Sequence, residues 1–490
     1  MSVRVRYAPS PTGYQHVGSV RTALYNYLFA RCQGGKFILR IEDTDRERYV
    51  EDALQDIYDT FAWLGFRWDE GPDVGGPKGP YFQSQRVDVY KKYAEELIVK
   101  DMAYRCYCAP ERLEKLRQEQ AAAKSSVGYD RHCRAITPQE RGAAELAGMK
   151  SVIRLKIPLE GATTFTDTLL GGITVPNKDI SPDPVLIKSD GFPTYHMANV
   201  VDDHLMEISH IMRAQEWLPS APLHKILYDA LGWEQPKLCH LPMVMGKDGR
   251  KLSKRHGATN IREFRKLGYL PEALINYIAL VGWSYDDARE FFTLDELEKL
   301  FSMEKINTSP AVFDYQKLDW FNGAYIRKMS PIRFAEAVRP FLAEAGFVPA
   351  DGSDDERLAG IAPLIQERVR LLSEVPEMVS FIFEEPAAPA PADLVPKKAE
   401  PARALEALKR LAALLPQLNG PAEQDESRLR ALAEELGLKV GDLLMPLRVA
   451  VTGSRVSPPL FESIRVLGLE KALGRASKAI AILTEHVTRS

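Results

Sequence analysis

The segment from residue 3 to residue 31 combines a histidine with two glycines in a way that could bind phosphate. Apolar residues alternate with arginines up to Tyr7, two prolines and a glycine follow, and apolar residues recur at helical spacing from Val17. The sequence therefore predicts a strand, a tight loop and a helix. Unpaired N–H groups at the start of such a helix attract anions. His16 could donate to a phosphate oxygen, and Gly18 has no Cβ to keep one away, although a histidine here can equally be structural or solvated.

A second group of cations lies in the segment G-K-D-G-R-K-L-S-K-R-H-G, residues 246–257. Its glycines and charges follow an apolar stretch, which predicts a mobile loop at the end of a strand. From such a loop, Lys251 and Lys254 could close on a polyphosphate. The alternative is a solvated basic loop, which runs of charge commonly are.

Carboxylates follow the second predicted strand, residues 37–41. Glu42, Asp43 and Asp45 would lie at the strand end where open α/β sheets bind ligands, and they suit an amine or ribose hydroxyls. Asp45 could instead cap the helix that follows.

Three of the five cysteines cluster, as Cys106-x-Cys108 and Cys133. With Tyr129 or His132 they offer four ligands for a tetrahedral zinc. The C-x-C spacing and a tyrosinate ligand are both unusual for zinc, so free thiols near a strand are the alternative. Five cysteines in 490 residues do not make a disulfide framework.

Composition restricts the class of protein. A chain of 490 residues should hold several domains, and 45% hydrophobic with 27% charged residues is ordinary for a soluble protein. The net charge of −3 excludes a globally basic nucleic-acid binder, so any RNA surface must be a local concentration of cations. No stretch approaches the ~20 apolar residues that span a bilayer, and no signal peptide is evident. We therefore expect a cytoplasmic protein that does not associate with a membrane.

The elements that must position these groups change character along the chain. The N-terminal part mixes strands and helices, residues 105–190 contain short strands and turns, and the chain is almost entirely helical from residue 325, with a Pro/Ala-rich linker at 386–401. Further strands are expected at 151–157, 185–188 and 207–212, and helices at 112–124, 218–231, 261–281 and 294–301. Leucines 405, 408, 411 and 415 are expected in a core.

Taken together, H-V-G-S at 16–19 and K-L-S-K-R at 251–255 resemble the H-I-G-H and K-M-S-K-S signatures of class I aminoacyl-tRNA synthetases. Five segments resemble bacterial glutamyl-tRNA synthetases, in the order of that family. They are A-P-S-P-T-G at 8–13, G-G-K-F-I-L-R-I-E-D-T-D-R-E-R at 34–48, D-E-G-P-D-V-G-G-P-K-G-P-Y-F-Q-S at 69–84, K-S-D-G-F-P-T-Y-H-M-A-N-V-V-D-D-H at 188–204, and the K-L-S-K-R loop. Ser19 replaces the last histidine of the class pattern, at a position where glutamyl enzymes commonly vary.

The resemblance implies an α/β fold: a Rossmann-type doubly wound parallel sheet with an inserted α+β connective domain, a stem-contact fold and an all-α C-terminal anticodon-binding region. The expected bounds are 1–104 and 191–245 for the two catalytic halves, 105–190 for the insertion that binds the acceptor end, 246–324 for the K-L-S-K-R loop and stem-contact fold, and 325–385 and 386–490 for two helical anticodon-binding subdomains. Glutaminyl enzymes have β-barrel anticodon domains and glutamyl-queuosine-forming relatives have none, so a helical tail fits neither.

The resemblance also implies roles for individual residues. It makes His16, Lys251 and Lys254 catalytic and puts Tyr195 and Asn199 in the amino-acid pocket. These two are four residues apart, so they share one face if this segment is helical. The full sets are Pro9, His16, Gly18, Glu216, Trp217 and Lys254 for ATP; Arg6, Ser10, Glu42, Tyr195, Asn199 and Arg213 for glutamate; Cys106, Cys108, Tyr129 and Cys133 for zinc; and Arg368 for the anticodon.

The implied reaction is the ATP-dependent attachment of L-glutamate to the 3′ end of tRNA(Glu) through glutamyl-adenylate, with Mg²⁺, a structural Zn²⁺ and a monomeric enzyme. A small-molecule adenylyl transferase would share the phosphate site but would not need the helical tail. A catalytically inactive RNA-binding relative is disfavoured because His16, Lys251 and Lys254 are all present. Whether tRNA(Gln) is also charged stays open.

Overall fold

The computed structural model describes residues 2–45, 47–349, 355–397, 399–418 and 420–489, without the side chains of 355–357 and 422. The chain divides into two compact units, residues 1–265 with 271–315, and residues 266–270 with 316–490. No helix in the described ranges is long and apolar enough to cross a membrane.

The strands lie in the first unit, within the part of the chain that the structure describes. In chain order they are β1 (Arg4–Tyr7), β2 (Lys36–Leu39), β3 (Ala103–Cys106), β4 (Val152–Leu155), β5 (Ala162–Asp167), β6 (Gly171–Pro176), β7 (Val185–Ile187), β8 (His210–Ala214), β9 (Lys237–Leu241), β10 (Val244–Met245) and β11 (Ala311–Val312).

The catalytic sheet is mostly parallel. β1 pairs with β2, and β9 pairs with both β8 and β5, all in parallel. Ser209, directly before β8, joins the two parts, because its N–H donates to the Arg4 carbonyl at 2.9 Å and its carbonyl accepts from Lys237 N–H at 3.0 Å. The expected parallel α/β sheet is confirmed.

The expected insertion contributes to two different sheets. Strands β3, β4 and β7 form an antiparallel sheet of their own, whereas the hairpin of β5 and β6 extends the catalytic sheet through β9. Residues from the middle of the sequence insertion therefore lie in the same sheet as β8.

The helices of the first unit surround these sheets. They are α1 (Val17–Cys32), α2 (Ala53–Leu64), α3 (Val87–Val99), α4 (Pro110–Ala122), α5 (Pro138–Leu146), α6 (Tyr195–Leu205), α7 (Ala221–Leu231), α8 (Ile261–Lys266), α9 (Pro271–Leu280) and α10 (Leu294–Leu300). The single helix expected at 261–281 is two helices, broken at Gly268, whose φ of +81° is disfavoured for residues with a Cβ.

The expectation that Asp45 caps the next helix is wrong. Helix α2 begins later, at Ala53, and Asp52 precedes it. Asp45 instead accepts from Arg48 Nε at 2.7 Å. Residues 47–52, which separate Asp45 from this helix, are not helical.

The second unit is helical, as expected. Its helices, with α11 starting at the boundary, are α11 (Tyr315–Lys328), α12 (Pro331–Glu344), α13 (Asp355–Ile365), α14 (Val375–Phe383), α15 (Pro401–Leu414), α16 (Ala422–Glu435), α17 (Val440–Thr452), α18 (Leu460–Leu467) and α19 (Leu469–Arg489). Leucines 405, 408, 411 and 415 are buried in its core, which confirms that expectation. The predicted linker at 386–401 lies between α14 and α15, inside this unit.

Candidate active site

His16 stands at the N-terminus of α1, at the end of the loop that follows β1. Its Nδ1 accepts a hydrogen bond from Gly18 N–H at 3.1 Å. Burial, and next the charge of Lys251, lower the pKa of His16. The ring is therefore neutral near pH 7, and since Nδ1 is an acceptor, the proton is on Nε2. Nε2 is the atom that can donate to a phosphate.

Gly18 is not required by the surrounding protein. A Cβ at this position would meet only the His16 ring among the described residues, at 3.4 Å from Nδ1. The room that the missing Cβ leaves is thus on the open side of the helix N-terminus, where a ligand would approach.

The two motifs expected to bind ATP are joined by backbone hydrogen bonds. Val17 N–H donates to the Thr259 carbonyl at 2.8 Å, and Ile261 N–H donates to the Gln15 carbonyl at 3.0 Å. The chain on either side of His16 therefore pairs with the segment that directly follows the K-L-S-K-R loop.

The K-L-S-K-R loop is braced by its own hydrogen bonds. Gly246 N–H donates to the Arg250 carbonyl at 2.8 Å, and His256 accepts from Ser253 N–H at 3.0 Å. Lys251 pairs with Glu216, whereas exposed Lys254 forms no ion pair in the described part of the chain. Both lysines remain accessible to a polyphosphate.

Arg213 lies inside strand β8, whereas the strand predicted from the sequence ended at residue 212, directly before it. Only 5% of Arg213 is exposed to solvent. Its Nε donates to His240 Nε2 at 3.0 Å, its Nη1 to Tyr195 Oη at 3.0 Å, and its Nη2 to the Trp217 carbonyl at 3.3 Å. A guanidinium has five N–H groups, so one on Nη1 and one on Nη2 are left. No carboxylate among the described residues pairs with Arg213.

Arg6, in contrast, has a carboxylate partner. Its Nε and Nη2 donate to the two oxygens of Asp203 at 3.0 and 3.2 Å, and Arg40 Nη1 donates to the same carboxylate at 2.7 Å. Arg40 also donates to Glu42 Oε1 at 3.2 Å. This leaves Nη1 of Arg6 and Oε2 of Glu42 without a partner in the described ranges.

Asn199 lies among the same groups. Its Nδ2 is 3.4 Å from Glu42 Oε1. With the amide turned over, its nitrogen donates to Asp203 Oδ2 at 3.3 Å and its oxygen accepts from Arg40 Nη2 at 3.1 Å. The turned orientation satisfies both ends of the amide, so Asn199 is part of the buried cluster of charged side chains that Arg6, Arg40, Glu42 and Asp203 form. Its amide makes its hydrogen bonds within that cluster.

The charges of this cluster balance. Arg6, Arg40 and Arg86 face Glu42, Asp202 and Asp203, all buried. Burial is the largest influence on Glu42 and raises its pKa, although Arg40 and Arg6 oppose the rise.

Tyr195 links the two halves of the site. Its ring packs against Trp217 with the centroids 4.6 Å apart. Burial raises the pKa of Tyr195, although the charges of Arg213 and Arg6 oppose the rise. Glu42 N–H donates to the Pro9 carbonyl at 3.0 Å, which holds the loop carrying exposed Ser10 beside Glu42. The residues implied for glutamate and those implied for ATP thus adjoin each other.

Sequence reasoning missed several residues that hold these side chains in place: Arg40, Asp167, Asp203 and His240. The pair Asp202-Asp203 stood in a segment that the resemblance quoted, but a run of two acids gave no sign of burial. Asp167 and His240 are distant in sequence from the groups that they contact, so no spacing could have revealed them.

The cysteine cluster has the dimensions of a metal site. The sulfurs of Cys106, Cys108 and Cys133 all lie within 4.8 Å of one another. Tyr129 Oη is 3.3 Å from Cys106 Sγ and 3.5 Å from Cys108 Sγ. Tetrahedral zinc places sulfur ligands about 3.8 Å apart and sulfur and oxygen about 3.6 Å apart. His132 is exposed and is not part of the group.

In the second unit, Arg368 lines a cavity of about 740 Å³. The cavity is lined by residues of α14 and by residues 452–458, and Arg368 Nη1 donates to the Ser457 carbonyl at 3.4 Å. Arg448 also contacts Ser457, because its Nη1 donates to Ser457 Oγ at 2.6 Å, and burial and the charge of Arg368 lower the pKa of Arg448. Two guanidinium groups thus lie close together in this region of the helical unit.

Comparison with known proteins agrees with this division. Residues 2–320 match the family model for tRNA synthetases class I (E and Q), catalytic domain, and residues 333–480 match the model for an anticodon binding domain. The parallel sheet, the helix N-terminus at His16 and the K-L-S-K-R loop are those of a class I aminoacyl-tRNA synthetase, a class that uses ATP and Mg²⁺.

Similar proteins narrow the class. The glutamate–tRNA ligase of Treponema denticola is 53% identical, with 98% of this chain and 99% of that protein aligned. That of Dehalococcoides mccartyi is 51% identical over 99% of each. The crystal structure of a glutamate tRNA ligase from Elizabethkingia meningosepticum, in complex with its amino acid, superposes with a TM-score of 0.88 at 36% identity over 99% of this chain and 100% of that one. The chain belongs to the glutamate–tRNA ligase family.

Proposed function

We propose that this protein attaches L-glutamate to tRNA(Glu) in two steps, with the residues described above in named roles. In the first step the glutamate α-carboxylate attacks the α-phosphorus of ATP, and the bond to the leaving pyrophosphate breaks. In the second, a ribose hydroxyl of the terminal adenosine attacks the glutamyl carbonyl and AMP leaves with the bonding electrons. Neither step needs a protein nucleophile, so the protein supplies position and charge.

Arg213 carries the proposal. A buried guanidinium with two unused N–H groups and no carboxylate partner among the described residues is costly unless a ligand completes it. The side-chain carboxylate of glutamate fits this position, since it can accept both N–H groups at once. Glutamine offers one acceptor oxygen and no charge, so the same site discriminates against it.

Two further polar atoms without a partner among the described residues contact the substrate glutamate in this proposal. Nη1 of Arg6 is a second donor for the side-chain carboxylate, and Oε2 of Glu42 accepts from the α-ammonium. Ser10, Tyr195 and Asn199 shape the pocket around them. Asp203 keeps Arg6 in place and offsets part of its charge, so Arg213 is the cation in this pocket that has no carboxylate partner among the described residues.

The phosphates of ATP bind at the N-terminus of α1. Pro9 and Gly18 leave room for them, Nε2 of His16 donates to an oxygen, and Lys251 and Lys254 approach from the loop, with Glu216 and Trp217 lining the same site. Mg²⁺ enters with ATP as part of that substrate. The charge that develops on the transferring phosphate and on pyrophosphate in the transition state is what these donors stabilise.

A zinc ion fits the donors Cys106, Cys108, Tyr129 and Cys133. Thiolate sulfurs are preferred zinc ligands, and four donors without an open position are typical of a structural site. Bound zinc supplies folding free energy to the segment that carries it. We therefore expect about one zinc per chain, and a chelator should loosen residues 105–135 and weaken tRNA binding more than ATP binding. Metal analysis of protein made in zinc-replete medium checks this; protein without zinc would refute it.

The tRNA is contacted by both units. The insertion at 105–190 binds the acceptor end, residues 246–324 contact the stem, and the helical subdomains at 325–385 and 386–490 bind the anticodon with Arg368 in the cavity that it lines. The match of residues 333–480 to an anticodon binding domain supports this. We expect a cytoplasmic, monomeric enzyme, because tRNA and ATP are used there and each unit carries its own core.

Charging assays with purified tRNA(Glu) and tRNA(Gln) test the reaction. We expect [¹⁴C]glutamate to become acid-insoluble with tRNA(Glu), with one AMP formed per glutamate attached. AMP formation from ATP and glutamate without any transfer to RNA would favour a small-molecule adenylyl transferase. No turnover of ATP with any tRNA would favour an RNA-binding protein.

A further inference from the structure

Three neighbouring parallel strands place Asp167, His240 and Arg213 next to one another on one face of the sheet. Arg213 in β8 and His240 in β9 are register partners, so their side chains leave the same face of the sheet. Asp167 is the last residue of β5, on the other side of β9, where it pairs with Leu238. The side chains of His240 and Asp167 are fully buried.

Hydrogen bonds fix the state of each member. Asp167 Oδ2 accepts from the backbone N–H and from Nδ1 of His240, at 3.0 and 2.7 Å, and Oδ1 accepts from the N–H groups of Leu169 and Leu170, at 2.9 and 3.0 Å. These bonds outweigh the effect of burial and lower the pKa of Asp167, so it is a carboxylate. The His240 proton must then be on Nδ1, and Nε2 is left with a lone pair for Arg213 Nε–H.

The partner of Arg213 is thus held rigidly and is uncharged. Burial lowers the pKa of His240, and burial together with the charge of Arg213 lowers the pKa values of His196 and His224. Arg6 differs, because its guanidinium is pinned by the charged carboxylate of Asp203. A neutral acceptor orients Arg213 equally well but leaves its positive charge available to a ligand.

We infer that His240 and Asp167 are positioning residues that orient Arg213 through a neutral acceptor, so that no anion pairs directly with its guanidinium and its charge can select glutamate over glutamine. The inference rests on the proposed role of Arg213 in glutamate binding. Neither residue touches the substrate; His240 holds Nε of the guanidinium, and Asp167 holds the tautomer of His240. Replacing the neutral acceptor by an anion would cancel the charge that the glutamate carboxylate needs.

Variants of His240 test this inference in tRNA(Glu) charging assays of the full-length protein. Glutamine retains an acceptor that reaches Arg213, so His240→Gln should keep the KM for glutamate within about 5-fold of wild type. His240→Leu removes the acceptor and should raise that KM roughly 10-fold or more. His240→Glu is made together with Asp167→Asn, because two buried carboxylates would otherwise share a proton, and it should raise the KM roughly 100-fold or more. In His240→Glu, the ratio of kcat/KM for glutamate to that for glutamine should fall as well. The KM values for ATP and tRNA should change less than about 3-fold in all three.

Cys239→Ala provides the matched control, because Cys239 is the buried neighbour of His240 in β9 and faces the other side of the sheet. It should lower the melting temperature without changing the KM for glutamate. If His240→Leu raised the KM values for glutamate, ATP and tRNA alike, or none of them, His240 would be a structural residue only. An unchanged preference for glutamate over glutamine in His240→Glu would overturn the role in selectivity.

Arg213→Ala separates failure of this inference from failure of the proposed function. If Arg213→Ala leaves glutamate use unchanged, Arg213 does not bind glutamate. The proposed function of the pocket is then wrong, and the positioning role of His240 and Asp167 fails with it. If Arg213→Ala impairs glutamate use while His240→Leu does not, the pocket stands and only the positioning role is wrong. For variants that fold poorly, the melting temperature and the KM for ATP identify general damage. Asp167→Asn should resemble His240→Leu in its KM pattern, because an amide cannot accept from four N–H groups.

Discussion

The two sides of the active site hold their cations in opposite ways. On the glutamate side Arg213 and Arg6 are about 5% exposed, and each guanidinium is fixed by at least two hydrogen bonds. On the phosphate side the side chain of Lys251 is 62% exposed and Lys254 lies on a loop. A buried, pre-oriented guanidinium distinguishes one amino acid from another, whereas accessible lysines on a loop can follow charge as it moves from ATP to pyrophosphate. In the proposed function, recognition of the amino acid is therefore separated from stabilisation of the transition state.

Substitutions on the phosphate side should have the largest effect on the reaction. His16→Ala and Lys254→Ala should each lower the rate of glutamate activation roughly 100-fold or more, with little change in the KM for ATP, because each removes a donor that acts in the transition state. Single-turnover kinetics with tRNA present would measure the rate. Arg255→Ala, next to Lys254, is the control that keeps the rest of the loop. A rise in the KM for ATP alone would place both residues in ground-state binding.

On the glutamate side the loss should appear in substrate use. Arg213→Ala removes the partner of a desolvated carboxylate, a change that typically costs about 2–5 kcal/mol, so kcat/KM for glutamate should fall roughly 30-fold or more while ATP binding stays nearly constant. Steady-state charging at varied glutamate gives the first value and ATP titration without glutamate the second. A fall in tRNA affinity alone would move Arg213 to the RNA surface.

The glutamate side should also respond to acid. Because burial raises the pKa of Glu42 above that of an ordinary carboxyl group, Glu42 becomes protonated, and loses its attraction for the α-ammonium, at a higher pH than an exposed acid would. As the pH falls, the KM for glutamate should accordingly begin to rise at a higher pH than the titration of an exposed carboxyl group would cause. Measurement of KM between pH 8 and pH 5.5 checks this. Glu42→Gln should show a high KM with no such rise, and an identical pH profile in that variant would contradict the assignment.

The smallest effect should come from the ion pair that joins Glu216 to the loop. Both side chains are largely exposed, and exposed pairs contribute about 0–1 kcal/mol. Glu216→Gln should therefore change the KM for ATP by less than about 5-fold, and the difference should shrink further in high salt. A change of the size expected for Lys254→Ala would mean that this contact is as rigidly organised as those on the glutamate side.

Much of the fold could be predicted from the sequence because its signals are local. The strand, loop and helix of residues 4–32 and the helical second unit follow from periodicity and from glycine and proline. Predictions failed at boundaries, as at Asp45 and at the break near Gly268, where one residue can serve either the end of an element or its continuation. The resemblance then supplied the roles of Arg6, Glu42 and Arg213, which periodicity could not.

The sequence by itself determined the family, the two motifs that meet at the helix N-terminus, and the cysteines and tyrosine whose donors lie together. Only the tertiary structure decided which of the two arginines lacks a carboxylate partner among the described residues. Arg6 and Arg213 have similar exposure, but one faces Asp203 and the other His240. That choice depends on the register of β8 with β9 and on the pairing of β5 beside them, which join residues far apart in the chain. Local propensity contains no information about such partners, because the charge around a buried side chain is set by whichever strands pack next to it.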